Sequence, residues 1–270
     1  MEGKVSMIDI HTHIIDDEDG SAKDMEASLT LLRMAAAAGT TDIVATPHIC
    51  KGTGIIEWPL IKERVEVLNS AARAEGITTQ VHAGAELEMD WNLLSLLKTG
   101  QEDYCLAGSR YILIELPAYN VPNYAEDFLY EIQVKELIPV IAHPERNFCL
   151  AKNPELLHQW MRDGGVMAQC NIDSFTYKYG MEVKNFAELL IRNNMVHFLG
   201  TDAISIERRN TDTSSALKAL KGKVAPEALE RIVSVNSQAI IENRYLDVHV
   251  PKELCLPYDR SKSFLSRLFG

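Results

Sequence analysis

The sequence lacks any pairing pattern among its cysteines. Its 270 residues contain five widely scattered cysteines and no C-x-x-C motif, which argues against a zinc ribbon and a dithiol redox site. None of the five has an arginine six positions on, the spacing with which cysteine-dependent phosphatases bind phosphate; Cys105 and Cys255 each precede one by five. We therefore expect reduced, buried and inert thiols.

Long hydrophobic runs and an excess of positive charge are also missing. No apolar run approaches the length of about 18 residues that a membrane-spanning helix needs, and the start of the chain lacks the apolar region of a signal peptide. The net charge of −11 disfavours nucleic acid as a main partner, because phosphate contacts need a basic face. We expect a cytoplasmic protein that buries a full core.

Short β-type segments alternate with helical ones along the chain. The predicted strands are residues 5–8, 42–45, 78–83, 111–114, 138–142, 165–170 and 196–199. The predicted helices are residues 21–39, 59–75, 91–98, 124–136, 154–163, 181–192, 213–221 and 226–243. This alternation predicts an α/β fold with a parallel sheet. Seven strands favour a distorted (β/α)7 barrel, with an open doubly wound sheet as the alternative. We expect one domain over residues 1–250 and a tail over 251–270.

Residues of the metal-ligand type follow the predicted strands. Alternate side chains of an extended segment point the same way, so the H-x-H pair behind the first strand can reach one ion. A barrel gathers the carboxyl ends of its strands at one face. In chain order these ends carry His11 and His13, His48, Glu86, Glu115, His143, Asn171 and Asp202. Any one of them alone could simply face solvent, but the set suits two or three divalent cations of manganese, iron or zinc.

Several other polar residues have assignable roles. Arg146 and Arg209 follow the ligand-type residues closely, and guanidinium groups beside a metal cluster suit phosphate recognition. Asp9 precedes His11 by two residues and could orient a ligand imidazole. Three further histidines, within or beside predicted strands and helices, are expected to be structural: His82, His158 and His197.

Taken together, these motifs resemble the polymerase-and-histidinol-phosphatase (PHP) superfamily. Within it, the chain resembles the manganese-dependent bacterial tyrosine-protein phosphatases of capsule and exopolysaccharide clusters. The resemblance spreads over roughly residues 6–245 and is carried by residues 7–13, 19–20, 45–48, 84–86, 113–115, 141–146 and 201–203.

The resemblance implies a PHP-type barrel that binds two or three manganese ions. It implies the metal ligands His11, His13, Asp19, His48, Glu86, Glu115, His143 and Asp202, with Glu86 as the bridging carboxylate. Arg146 and Arg209 fall where the family binds phosphate. The implied reaction is hydrolysis of phosphotyrosine on a protein, a membrane-associated bacterial tyrosine autokinase that controls capsule or exopolysaccharide synthesis. The alternatives are a small-molecule phosphatase, such as a histidinol phosphatase, and a weakly catalytic phosphotyrosine-binding regulator.

Two departures from the family pattern matter, and one segment lies beyond it. Ile204 stands where the family usually has a histidine two residues after the aspartate, which predicts a weakened third metal site. The acidic loop before Gly20 is about one residue short, which makes Asp19 the least secure ligand. A basic amphipathic stretch over residues 262–269 is expected to contact the membrane surface or the kinase.

Overall fold

All strands of the fold run parallel to their neighbours. The computed structural model describes residues 6–15, 24–50, 52, 54–247 and 251–254. Its strands are β1 Met7–Thr12, β2 Thr40–Ala45, β3 His48–Ile49, β4 Gln80–Ala83, β5 Glu86–Glu88, β6 Tyr111–Glu115, β7 Ile138–Ala142, β8 Met167–Asn171 and β9 Phe198–Gly200. They form a sheet of order β1-β2-β4 and a second of order β3-β5-β6-β7-β8-β9. The predicted α/β fold with parallel sheets is confirmed.

Two of the predicted strands are each followed, after a short break, by a further short strand that pairs in the other sheet. β2 and β3 are separated by Thr46-Pro47, and proline has no N–H to donate to a ladder. Gly84 separates β4 from β5 at a crowded point, where an added Cβ would lie 2.7 Å from Val44 Cγ1. The backbone of Pro47 still accepts a hydrogen bond from Glu86 N at 3.0 Å. The interruptions therefore bring His48 and Glu86 to the start of new short strands.

β1 and β9 meet beside these two interruptions. Thr12 and Ala203 form an isolated parallel bridge, His13 N donates to Ala203 O at 2.8 Å, and Asp202 N donates to His11 O at 2.8 Å. Among the described residues, ladder pairing divides the strands between two sheets and does not close them into one ring. The carboxyl end of β1 is nevertheless fixed against that of β9.

Helices cover the sheets and begin and end at ordinary signals. Asp24 caps the first helix through Ala27 N at 2.9 Å, and Gly39 ends it with a left-handed φ of 97°. The α-helices are α1 Met25–Ala38, α2 Trp58–Ala74, α3 Ala125–Val134, α4 Phe148–Lys152, α5 Pro154–Gly164, α6 Met181–Arg192, α7 Ser214–Leu220, α8 Pro226–Glu230 and α9 Asn236–Ile241.

Two helical predictions were wrong in type. The predicted helix over residues 91–98 is a 3-10 helix, Trp91–Leu96. The predicted helix over 226–243 is divided by a π-helical turn, Arg231–Val235, between α8 and α9. No helix among the described residues combines the length and the hydropathy needed to span a membrane. Asp19, Cys255 and the amphipathic stretch 262–269 lie outside the described residues.

The buried apolar residues lie on both faces of the strands. Met7 of β1 belongs to the larger cluster, which packs against the helices. Ile8 and Ile10 of the same strand belong to a second cluster with Leu113 of β6 and Val140 of β7. Strands buried on both faces are typical of parallel sheets, and they hold the strand ends in fixed positions.

Candidate metal centre

The structure brings seven of the eight expected ligand residues together. The ligand atoms of six of them form three overlapping groups, and within each group all atoms lie within 4.8 Å of one another. The groups are His11–Glu86–His143, His11–His13–Asp202 and His13–His48–Glu86. Glu115 adjoins them, with Oε2 at 3.5 Å from His48 Nδ1 and Oε1 at 3.7 Å from His143 Nε2.

Glu86 lies at the middle of the cluster. Its side chain is fully buried, with Oε1 at 3.0 Å from His143 Nε2 and Oε2 at 3.2 Å from His11 Nε2. Oε2 also lies 3.4 Å from His13 Nε2 and 3.1 Å from His48 Nδ1. Burial by itself would raise the pKa of Glu86, but the histidines outweigh it and hold the pKa well below its usual range. Glu86 is therefore ionised. Its Oε1 faces His143, and its Oε2 faces His11, His13 and His48.

Glu115 differs from Glu86 in its exposure and its charge. It lies at the rim of the cluster, where its side chain is 32% exposed. Partial burial and the negative charge of Glu86 raise the pKa of Glu115 to about 7. The two carboxylates therefore have different protonation behaviour, although both face His48 and His143.

Asp202 divides its two oxygens between different partners. Oδ1 lies 3.3 Å from His13 Nε2 and 3.8 Å from His11 Nε2. Oδ2 accepts hydrogen bonds from Arg146 Nη1 at 2.7 Å and from Arg209 Nη1. Burial alone would raise the pKa of Asp202, but the close imidazole of His13 and the charges of the histidines keep it far below normal. One oxygen thus faces the cluster while the other positions two guanidinium groups.

Gln169 holds His11 in place and was not identified from the sequence. Its Oε1 accepts from His11 Nδ1 at 2.9 Å and from His143 N at 3.3 Å. Its Nε2 donates to Asn171 Oδ1 at 3.0 Å, and Asn171 Nδ2 donates to Asp202 Oδ2 at 2.8 Å. A chain of amides therefore links two parts of the cluster. The alternate polar residues Gln169 and Asn171 in an otherwise buried strand were the sequence signal for it.

The expected role of Asp9 was wrong. Its Oδ1 accepts from His11 N at 3.2 Å and Thr201 N at 3.0 Å, and its Oδ2 accepts from Thr201 Oγ1 at 2.6 Å. Asp9 thus fixes the backbone of β1 against the end of β9, while the amide of Gln169 orients the imidazole. Burial raises the pKa of Asp9 to about 6 despite the bonds from Thr201.

Two residues of the cluster have a backbone conformation that residues other than glycine seldom adopt. His143 has a φ of 29° and Asp202 a φ of 52°. Such conformations cost on the order of 1–3 kcal/mol each and persist where the surrounding structure fixes them. Both residues immediately follow the ends of strands or their flanking turns, so the strain serves to aim these side chains into the cluster.

The donor set fits divalent cations. His11 Nε2, both ring nitrogens of His13 and Glu86 Oε2 are buried and have no hydrogen-bond partner in the described part of the chain. A buried polar atom without a partner costs about 1–3 kcal/mol, and three of these atoms, His11 Nε2, His13 Nε2 and Glu86 Oε2, lie close together. Imidazole nitrogens with carboxylate oxygens and no thiolate suit manganese, iron or zinc.

Tyr179 joins the arginine side of the site and was also missed. The guanidinium carbon of Arg146 lies 5.2 Å from the centre of the Tyr179 ring, within the range of a cation–π contact. The buried hydroxyl of Tyr179 has no hydrogen-bond partner among the described residues. No sequence motif marks this residue, because it lies in the loop before α6.

The other histidines and the cysteines that the structure describes lie apart from these three groups. His82 contacts Asp42 at 2.9 Å, His158 contacts Lys252 O at 3.0 Å, and His197 accepts from Ala168 N at 3.1 Å. Four free cysteines are described: Cys105 and Cys170 are buried, as expected, whereas Cys50 and Cys149 are half-buried. Burial raises the pKa of the Cys105 and Cys170 thiols, which makes them poor nucleophiles.

The comparisons with known proteins agree with this site. A family model described as capsular polysaccharide synthesis, CpsB/CapC, matches residues 7–242. The chain is 34% identical to the tyrosine-protein phosphatase YwqE of Bacillus subtilis (strain 168) over 258 residues, which cover 96% of this chain and 99% of the relative. It is 29% identical to the putative tyrosine-protein phosphatase CapC of Staphylococcus aureus over 247 residues, 92% of this chain and 96% of CapC.

Solved structures give the same result. The fold superposes with a TM-score of 0.83 and 33% identity on a chain from the crystal structures of YwqE from Bacillus subtilis and CpsB from Streptococcus pneumoniae, described as unique metal-dependent tyrosine phosphatases; the match covers 91% of this chain and 98% of that one. A histidinol phosphate phosphatase from Lactococcus lactis gives a TM-score of 0.51 at 14% identity, covering 81% of this chain and 94% of that one, a likeness of fold alone. The resemblance seen in the motifs is confirmed, and the chain belongs to the CpsB/CapC family of capsular polysaccharide synthesis.

Proposed function

We propose that this protein is a metal-dependent phosphatase that removes phosphate from phosphotyrosine in a protein. The observation that carries the proposal is the arrangement around Asp202, where one oxygen faces a buried cluster of imidazoles and carboxylates and the other binds two arginines. Cation ligands and guanidinium groups side by side suit a phosphate monoester, whose charge both neutralise. Relatives named tyrosine-protein phosphatases support the substrate class.

The proposed ligand set follows from the three groups of atoms. Two or three manganese ions would be held by His11, His13, His48, Glu86, Glu115, His143 and Asp202, and Asp19 completes the set that the resemblance implies. Glu86 would bridge two ions, since it belongs to two of the three groups. When bound, the ions supply an activated water and offset charge on the phosphoryl oxygens.

The residues of the chain itself position the substrate. Arg146 and Arg209 each have five N–H donors, so their bonds to Asp202 do not exhaust them. Both side chains are only partly exposed, and the Tyr179 ring and Asp202 restrict the Arg146 guanidinium, so little side-chain entropy is lost when a phosphate binds. We assign the two arginines to the phosphoryl oxygens of the substrate.

The proposed architecture and partner extend these inferences. We infer that the two sheets together form a distorted seven-stranded barrel, if each interrupted strand counts once, and that residues 1–250 form one domain. The contact between β1 and β9 supports closure. The family's link to capsular polysaccharide synthesis supports a bacterial tyrosine kinase of capsule or exopolysaccharide synthesis as the substrate, met in the cytoplasm.

Turnover across a panel of metals tests the proposed function. Para-nitrophenyl phosphate and a phosphotyrosine peptide are assayed with manganese, iron, zinc and magnesium, after treatment with a chelator. We expect no activity after chelation, the largest recovery with manganese, and little effect of thiol alkylation. Activity on histidinol phosphate without activity on the peptide would contradict the proposal. So would tight peptide binding with no phosphate released in saturating manganese.

A further inference from the structure

A cavity of about 70 Å³ adjoins the metal cluster on the side of Glu115 and His143. Arg146 also lines it, so its inner end carries two cluster residues and one arginine assigned to phosphate. Leu116, Ala118 and Ala142 give it an apolar wall, and Asn147 completes the lining. A ligand that fits this cavity therefore has an anionic end beside the metals and an apolar body.

Hydrogen bonds between two loops hold this wall in place. Asn147 Nδ2 donates to Pro117 O at 2.8 Å and Asn120 O at 3.0 Å. Phe148 N donates to Ala118 O at 3.1 Å. The segment after β6 is thereby fixed to the start of α4, and the cavity between them is preformed, as small-molecule sites commonly are.

Two large aromatic side chains extend outward from these same segments. Tyr119 is 83% exposed and Phe148 is 48% exposed, and each directly follows a residue that lines the cavity, Ala118 and Asn147. The Lys152 ammonium lies 4.0 Å from the centre of the Phe148 ring. Single exposed apolar residues are common, but a pair on two joined segments beside a site gives a surface that a polypeptide can contact.

We propose that this cavity binds the aromatic ring of phosphotyrosine and that Tyr119 and Phe148 contact the peptide on either side of it. The proposal rests on the proposed function. A phosphotyrosine has its phosphate at the far end of a flat apolar ring, which matches the polar inner end and the apolar wall. A phosphoserine has no ring to cover that wall. The cavity thus makes the site selective for aryl phosphates.

Inhibition by two phosphonates tests the ring subsite. Phenylphosphonate and methylphosphonate compete with para-nitrophenyl phosphate for the manganese enzyme, and we expect phenylphosphonate to bind about 10-fold more tightly because its ring is buried. Ala118 lines the cavity and is exposed to solvent. Ala118→Phe should abolish the preference for phenylphosphonate and leave methylphosphonate binding unchanged. Ala74→Phe, at an exposed position of α2, is the matched control and should keep the preference for phenylphosphonate.

The outcomes separate this inference from the proposed function. If the wild-type enzyme hydrolyses no aryl phosphate with any metal, the proposed function is wrong. If it does, but binds both phosphonates equally, or Ala118→Phe weakens both to the same extent, the ring subsite is wrong. A thermal melt of each variant shows whether the fold is intact.

Peptide kinetics test the aromatic pair. Tyr119→Ala and Phe148→Ala should each raise KM for a phosphotyrosine peptide about 5- to 10-fold and leave KM for para-nitrophenyl phosphate unchanged. Tyr130→Ala removes a tyrosine that is 64% exposed on α3 and should change neither the KM for the peptide nor the KM for para-nitrophenyl phosphate. An unchanged peptide KM in both test variants would overturn the assignment of this surface.

Discussion

At the scale of single residues, a neutral amide determines how His11 meets the cluster. The amide oxygen of Gln169 can only accept a hydrogen bond, so His11 Nδ1 carries a proton, and Nε2, which faces Glu86, is the ring nitrogen left to bind a cation. A carboxylate in the same place would add a negative charge to a site that already holds Glu86 and Asp202. The amide instead fixes the tautomer without changing the charge, and the same oxygen also holds the backbone of His143.

Replacing Gln169 should therefore weaken metal binding. Gln169→Met keeps the approximate volume but removes the acceptor, and loss of a partner that orients a ligand typically costs 10- to 100-fold in metal affinity or activity. Titration calorimetry with manganese measures the affinity directly. Gln238→Met, on the surface of α9 where the amide bonds Glu242, should bind manganese as the wild type does. Equal affinity in both variants would show that His11 is held by other contacts.

Ile204 is the second residue whose chemistry can be tested alone. Ile204 N and Ser205 N both donate to Arg209 O, at 2.9 and 3.0 Å, so this turn directs Arg209 back toward Asp202. An isoleucine cannot bind a cation, and the group that contains Asp202 keeps only His11 and His13 beside it. Ile204→His should raise the number of manganese ions bound and raise kcat, measured by elemental analysis and turnover. Three ions bound tightly by the wild type, or a lower kcat in the variant, would contradict this reasoning.

At the scale of secondary-structure elements, the sequence predicts positions better than interruptions. The strand over residues 138–142 has the predicted bounds, and the others begin or end within a few residues of them. β3 and β5 were not predicted, because strands of two and three residues are too short to show a period. The π-helical turn before α9 was missed for a related reason: its apolar residues fit a continuous helix.

Gly200 shows how closely these elements approach each other below the site. A Cβ at this position would lie 2.7 Å from His11 Cβ and 2.9 Å from Gln169 Nε2. Gly200→Ala should therefore displace both side chains, lower kcat, and cost about 1–3 kcal/mol of unfolding free energy, as overpacking does. Urea unfolding and turnover measure the two effects. In Gly164→Ala the new Cβ would meet only Val166 Cγ2, at 3.8 Å, so kcat and the free energy of unfolding should both stay close to the wild-type values.

His197 joins β8 to the start of β9 and should make folding pH-dependent. Its Nδ1 accepts from Ala168 N and its N donates to Ala168 O, and burial lowers its pKa from 6.5 to about 4. In the unfolded chain His197 therefore binds a proton below pH 6.5, whereas in the folded chain it binds one only below about pH 4. Stability is fully present above pH 6.5 and falls as the pH drops toward 4.

The expected loss from this histidine is about 2 kcal/mol between pH 7 and pH 5. Urea unfolding at both pH values, with a chelator present, should give a smaller difference for His197→Asn than for the wild type. His82→Asn controls for the loss of a histidine, since His82 is half-buried in β4. If His197→Asn has the wild-type pH dependence, folding does not lower the pKa of His197.

At the scale of the whole molecule, the site joins residues that are far apart in the sequence. His11 and Gln169 are 158 positions apart, and Asp9 and Thr201 are 192 apart. The candidate ligands could be predicted because each lies at or beside the end of a strand and carries a recognisable side chain. The residues that hold them could not, because a glutamine or a tyrosine gains its role only from partners that the fold brings together.

Metal binding should therefore stabilise the whole fold. The cluster forms only when residues from 11 to 202 come together, so a cation that binds it favours the folded state by mass action, by about 2.7 kcal/mol at 100 times its dissociation constant. For a chain of this size we expect manganese to raise Tm by roughly 5–10 °C, measured by scanning calorimetry, and a chelator to reverse the rise. Glu86→Gln should lose most of the manganese-dependent rise, whatever its Tm without metal. Glu66→Gln, on the exposed face of α2, should keep it. An equal rise in both variants would place the stabilising ion away from Glu86.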